Sequence, residues 1–121
     1  MAIQESKSSP RFNGFVRQKK ERADKAVLMA RKKQVLLKDL IPLFRKYKLT
    51  RVYIFGSVLS GACRKDSDID LYVESIEPEM YWELWKELEE KTDESIDLFC
   101  QRDDPIFIQK IIERGRLIYE A

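Results

Sequence analysis

The chain has 121 residues, 44% of them hydrophobic and 36% charged, the balance of one ordinary globular domain with a single core. It has no histidine and only two cysteines, Cys63 and Cys100; this excludes histidine-based catalysis, leaves zinc short of ligands, and gives any acid–base or metal chemistry to carboxylates, which suit hard cations such as Mg²⁺. The formal net charge of +2 conceals an asymmetry: residues 1–48 carry 14 Lys/Arg against 4 Asp/Glu, and residues 49–121 carry 9 against 17. A basic arm on an acidic body points to an anionic partner for the arm, to docking of the arm on acidic protein surface, or to a solvated lysine-rich helix face. No run of roughly 18 apolar residues exists, so no membrane span is expected. The polar N-terminus lacks the apolar core of a secretion signal, which predicts a cytoplasmic protein with reduced thiols.

Residues 1–15 are rich in Ser, Pro, Gly and Asn without periodicity and read as a flexible tail, in which Phe12 and Phe15 could tack onto a surface. Residues 16–34 read as a basic helical arm whose thin apolar stripe is Ala23, Ala26, Val27 and Ala30. A second apolar set runs Val35, Leu36, Leu37, Leu40, Ile41, Leu43, Phe44 and Tyr47, with Pro42 inside it. Proline lacks the amide and crowds the preceding turn, so a break or kink near Lys38 is expected, with Asp39 capping the new helix and Pro42 tolerated in its first turn.

Residues 51–56 make an apolar first strand that ends in Gly56-Ser57, and Val58 to Ala62 a short helix whose free amides are a natural anion site. After the polar loop Cys63–Ser67 comes a second strand, 68–74, carrying Asp68 and Asp70. Residues i and i+2 of a strand share a face. Two carboxylates held that close repel unless they share a proton or a cation, and the simplest reading is a divalent metal site beside a turn open to phosphates. Pro78 opens an acidic helix, 79–91, with Met80, Tyr81, Leu84, Trp85 and Leu88 on its apolar face and Trp82 off it. A third strand, 95–100, carries Asp97 between Ile96 and Leu98. Asp104 and Pro105 start a last helix that Gly115 ends, and residues 116–119 could add a strand. Alternation of this kind predicts an α/β sheet packed by helices. Strands ending at one edge would gather Gly56, Ser57, Asp68, Asp70 and Asp97.

The run Gly56-Ser57-Val58-Leu59-Ser60-Gly61, followed by Ser67-Asp68-Ile69-Asp70-Leu71, resembles the signature of the DNA polymerase β-like nucleotidyltransferase superfamily. It is most similar to the minimal, single-domain members that act as antitoxins paired with a HEPN-domain ribonuclease toxin. The resemblance implies that fold for residues 35–121, a small mixed sheet packed by helices, with the N-terminal helical arm as an addition. It implies that Gly56, Ser57 and Ser67 hold the nucleotide, and that Asp68, Asp70 and Asp97 are the catalytic carboxylates and bind Mg²⁺, with Mn²⁺ able to replace it. The implied reaction moves a nucleoside monophosphate, AMP from ATP or its counterpart from another NTP, to a hydroxyl of the HEPN partner and releases pyrophosphate. The pattern departs where minimal members carry arginines: here Val58 and Ser60 occupy those places, and Arg64 and Lys65 are the nearest substitutes. The competing reading is a non-catalytic antitoxin or binding module that acts by protein contact. Homo-oligomerisation, and weak nucleic-acid binding through the basic arm, are also compatible with the sequence.

Overall fold

The computed structural model describes residues 24–61 and 67–121. The expectations for the tail, for the start of the arm, and for Cys63, Arg64 and Lys65 lie outside them. Helix α1 covers residues 24–36 and passes into a 3₁₀ turn, Leu37–Leu40, then α2, Ile41–Lys46. After these come β1 (Arg51–Phe55), α3 (Ser57–Ser60), β2 (Ile69–Glu74), a 3₁₀ turn at Pro78–Met80, α4 (Tyr81–Thr92), β3 (Ile96–Cys100), α5 (Pro105–Arg114) and β4 (Arg116–Glu120). The sheet order is β3-β2-β1-β4, with β1 antiparallel to β2 and β4, and β2 parallel to β3. This is the mixed α/β architecture expected, with all four strands in place.

The break near Lys38 takes the form of the 3₁₀ turn, and Pro42 falls in the first turn of α2, where its missing amide costs nothing. Asp39 does not cap: it lies inside the 3₁₀ turn, and Leu40 precedes α2 without a side-chain cap. The continuous chain of helical turns makes a cap unnecessary there, because the upstream carbonyls already take the amides. Asp104 does cap, accepting from the Ile106 N–H at 2.9 Å. Gly115 ends α5, yet in extended backbone (φ −81, ψ −178) and not in the left-handed form. Its need is space: a Cβ would meet the carbonyls of Ile111 at 2.6 Å and Ile54 at 2.9 Å.

One sheet face, with Val52, Ile54, Ile69, Leu71, Val73, Ile96 and Leu98, is sealed beneath α1, α2 and α4 through Ala30, Leu37, Leu40, Phe44, Leu84 and Leu88. Tyr81 and Trp85 of α4 pack against this core as expected, whereas Met80 and Val35 stay exposed at 42% and 63%. Trp82 is exposed, off the stripe, and stacks on Trp85. The strand edge at β3 is covered by α4 side chains. Trp85 Nε1 donates to the Ile96 carbonyl at 2.7 Å, Glu89 accepts from the Ile96 N–H at 2.9 Å, and the Tyr81 hydroxyl donates to the Leu98 carbonyl. Unpaired edge groups are thereby satisfied, and the residues on both sides of Asp97 are pinned. Among the described residues no helix is long and apolar enough to cross a membrane.

Candidate active site

The second sheet face carries polar chemistry. Register places Phe55 opposite Asp70 and Tyr53 opposite Tyr72 across β1 and β2, and Asp70 beside Asp97 and Tyr72 beside Phe99 across β2 and β3. These residues therefore share one face. Phe55 and Phe99 meet Phe107 of α5 with ring centroids 5.2–6.0 Å apart. Asp70 and Asp97 stand next to this aromatic cluster, both half-buried, while Asp68 is exposed and lies one residue before β2.

Burial disfavours charge on such carboxyls, and neighbouring negative charge adds to it. Asp70 is accordingly pushed up to about 6, first by desolvation and then by the charges of Asp97 and Asp68. Asp97 is raised as well, by desolvation and then by Asp68. Among the described residues none of the three makes a hydrogen bond or an ion pair. They do not close into a ready-made cluster of three metal ligands either. Mutually repelling carboxylates, two of them half-buried, without a donor or cationic partner among the described residues are a fitting donor set for a hard divalent cation.

The turn meets the carboxylates at one atom. Gly56 has φ +75 and ψ −151, backbone that side chains do not adopt without strain, and a Cβ there would lie 2.1 Å from Asp70 Oδ2. Glycine is thus required twice over, by conformation and by the carboxylate against it. Ser57 opens α3, whose single turn ends at Gly61 in left-handed backbone with φ 82. Val58, at the first of the expected arginine positions, is fully buried in the core, and the Ser60 hydroxyl donates to the Ser57 carbonyl at 3.3 Å. One turn of helix carries little dipole, so backbone alone gives a phosphate limited attraction here.

The arm helix reaches both halves of the site. The ammonium of Lys33, only 2% exposed, donates to the Ser67 carbonyl, one residue before Asp68, and pairs with Glu94 at 3.2 Å. Gln34 Nε2 donates to the Val58 carbonyl at 2.8 Å, and Gln34 Oε1 accepts from Arg116 at 2.8 Å. The basic-face reading of the arm missed these two residues. A signal was present: Lys33 falls on the stripe Ala26, Ala30, Lys33, Leu37, Leu40, at the spacing of a buried face.

Comparison with known proteins identifies the family. The family model "Polymerase beta, Nucleotidyltransferase" matches residues 38–121. The protein adenylyltransferase MntA of Shewanella oneidensis is 31% identical, over 69% of this chain and 60% of that protein, so the chain spans less than two thirds of this relative's length. A crystal structure of a toxin–antitoxin with AMP-PNP is 28% identical, with a TM-score of 0.61 over 69% of this chain and 73% of that one. A mutant toxin–antitoxin complex, MntA–HpeT, is 27% identical with a TM-score of 0.54 over 76% and 73% of the two chains. The family match takes in every strand and all of the candidate site, and the chain is a member of the polymerase β nucleotidyltransferase family.

Proposed function

We propose that this chain transfers a nucleoside monophosphate, AMP from ATP, to a hydroxyl of a HEPN-type partner protein, and that it works in the cytoplasm as the antitoxin of that pair. The observation that carries the reading is the corner where Gly56, unable to hold a side chain, touches Asp70 beside Asp97, both carboxylates lacking any partner among the described residues. Asp68, Asp70 and Asp97 would hold Mg²⁺, which supplies neutralisation of phosphate charge when bound. In the reaction the acceptor oxygen bonds to the α-phosphorus, the bond from that phosphorus to the bridging oxygen breaks, and pyrophosphate leaves with the electron pair. Asp97, a carboxylate beside Asp70 without a partner among the described residues, is placed to take the hydroxyl proton. Gly56 lets the phosphates approach the backbone, and Ser57 and Ser67 offer hydrogen bonds at either side. We assign this work to a domain at residues 35–121, with 16–34 as its arm and 1–15 as a tail.

The test is transfer of label from α-labelled ATP to the HEPN protein in the presence of Mg²⁺. Transfer is expected with the native chain and should fall ~10²–10³-fold in Asp70→Asn, by the scale of removing a charge-stabilising group; undiminished transfer would refute the assignment. The second reading, neutralisation by contact alone, is favoured by the open arrangement of the carboxylates and the absence of arginine at positions 58 and 60. It predicts that Asp70→Asn still protects cells from the toxin.

A further inference from the structure

Helix α5 turns a mixed face toward the glycine turn. Phe107, Lys110, Ile111 and Arg114 follow the i, i+3, i+4, i+7 spacing of one helix face. Ile111 is buried against Tyr53 and Tyr72 and so holds this face on the sheet. Together with Phe55, Gly56, Leu59 and Ser60 these residues bound a cleft of about 540 Å³. Lys110 and Arg114 are exposed, and among the described residues neither has a hydrogen bond or an ion pair. Among the described residues no acidic side chain lines the cleft to offset them. Arg114 alone has a simpler explanation, since a cation in the last turn of a helix complements its free carbonyls. Lys110, a turn earlier, does not.

The turn itself is short of positive charge. Helix α3 (Ser57-Val58-Leu59-Ser60) contains no cation, and Val58 faces the core. A polyphosphate seated at Gly56 would find no countercharge on α3, and among the described residues would find two charges across the cleft. We propose that Lys110 and Arg114 bind the polyphosphate of the nucleotide, α5 supplying the cations that α3 lacks. The inference rests on the nucleotidyltransferase reading and adds two residues to its site. Arginine would grip phosphate oxygens through its fork and lysine as a point charge.

Titration calorimetry of the full chain with Mg-ATP, and separately with inorganic tripolyphosphate, at low and high salt, tests it. Lys110→Gln with Arg114→Gln should weaken both ligands ~100-fold or more and flatten the salt dependence, since each charged hydrogen bond is worth about one decade or more. The swap Lys110→Arg with Arg114→Lys should restore most of the affinity, and Arg102→Gln, an exposed cation elsewhere, should change nothing. Circular dichroism checks that the variants keep the fold. Unchanged affinity in the double variant, while the native chain binds Mg-ATP, overturns this inference and leaves the nucleotidyltransferase reading standing. Failure of the native chain to bind any common ribonucleoside triphosphate overturns both. A double variant that keeps nucleotide affinity but loses the partner protein also overturns it, and makes the cleft a protein contact.

Discussion

One face of the sheet presents Val52, Ile54, Ile69, Leu71, Ile96 and Leu98 to three helices, and the other presents Tyr53, Phe55, Asp70, Tyr72, Asp97 and Phe99 chiefly to α5. The first is dry and apolar throughout. The second grades from aromatic packing over Ile111 to unpartnered carboxylates within a few residues. The strands are the same; only the alternate residues differ. The apolar face can therefore hold the backbone rigid while the other face keeps charges in a state that no packing argument favours. Sites are held to productive geometry in this way, by side chains on rigid elements.

The sharpest way to break the contrast is to damage the dry face. Leu71 is fully buried one residue after Asp70. Leu71→Ala should cost ~2–5 kcal/mol by lost transfer and a cavity, read as a drop in the denaturation midpoint at unchanged slope. An effect below ~1 kcal/mol would mean that this face is not the stabilising one. Gly56→Ala is expected to rank next, at ~1–3 kcal/mol for the strained backbone. Because its Cβ would lie 2.1 Å from Asp70 Oδ2, it should also abolish transfer. Full activity in that variant would separate the turn from the carboxylates.

Much of this arrangement was legible in the chain. Apolar runs bounded by Gly56 and Asp104 gave strand and helix limits, and Asp70 and Asp97, both singled out as strand aspartates, sit side by side in the register. What stayed hidden depended on the setting of a residue, and mostly on contacts between distant segments. Asp39 looks like a cap in isolation, but the upstream helical turns already satisfy the amides it would serve. Gly115 looks like a left-handed stop, but only the return of β4 beside β1 shows that the Ile54 carbonyl excludes a side chain. Lys110 and Arg114 are ordinary helix cations until α5 is laid against the glycine turn. Lys33 was the exception, readable from its place on the apolar stripe, and its burial yields the next prediction. Lys33→Met should cost ~1–3 kcal/mol, because the Ser67 carbonyl and the Glu94 carboxylate lose a charged donor. Lys33→Arg should recover part of this. If Lys33→Met melts with the native chain, the arm does not support the site.

The smallest effect has the opposite sign. Asp70 binds its proton more tightly in the folded chain, at about 6 against an ordinary 3.8, so protonation favours folding. In the metal-free chain the resulting stability is fully present below the unfolded value and is lost as pH rises through about 6. The full shift would correspond to ~3 kcal/mol, which screening by solvent at a half-exposed group reduces to ~1 kcal/mol. Asp97, shifted in the same direction, adds to the slope. Asp70→Asn removes the charge and keeps the shape, so it should melt a few degrees above the native chain near neutral pH, by the usual relation of stability to melting temperature. The gap should narrow toward about pH 4, where the native carboxyl is protonated too. Thermal melts of both chains in a chelator across this range give the difference directly, and other carboxylates such as Glu87 cancel in it. A variant that melts below the native chain near neutral pH would mean that Asp70 has a stabilising partner. The contrast between the two faces would then be one of packing alone, because the cost of leaving a carboxylate unpartnered is what separates the polar face from the apolar one.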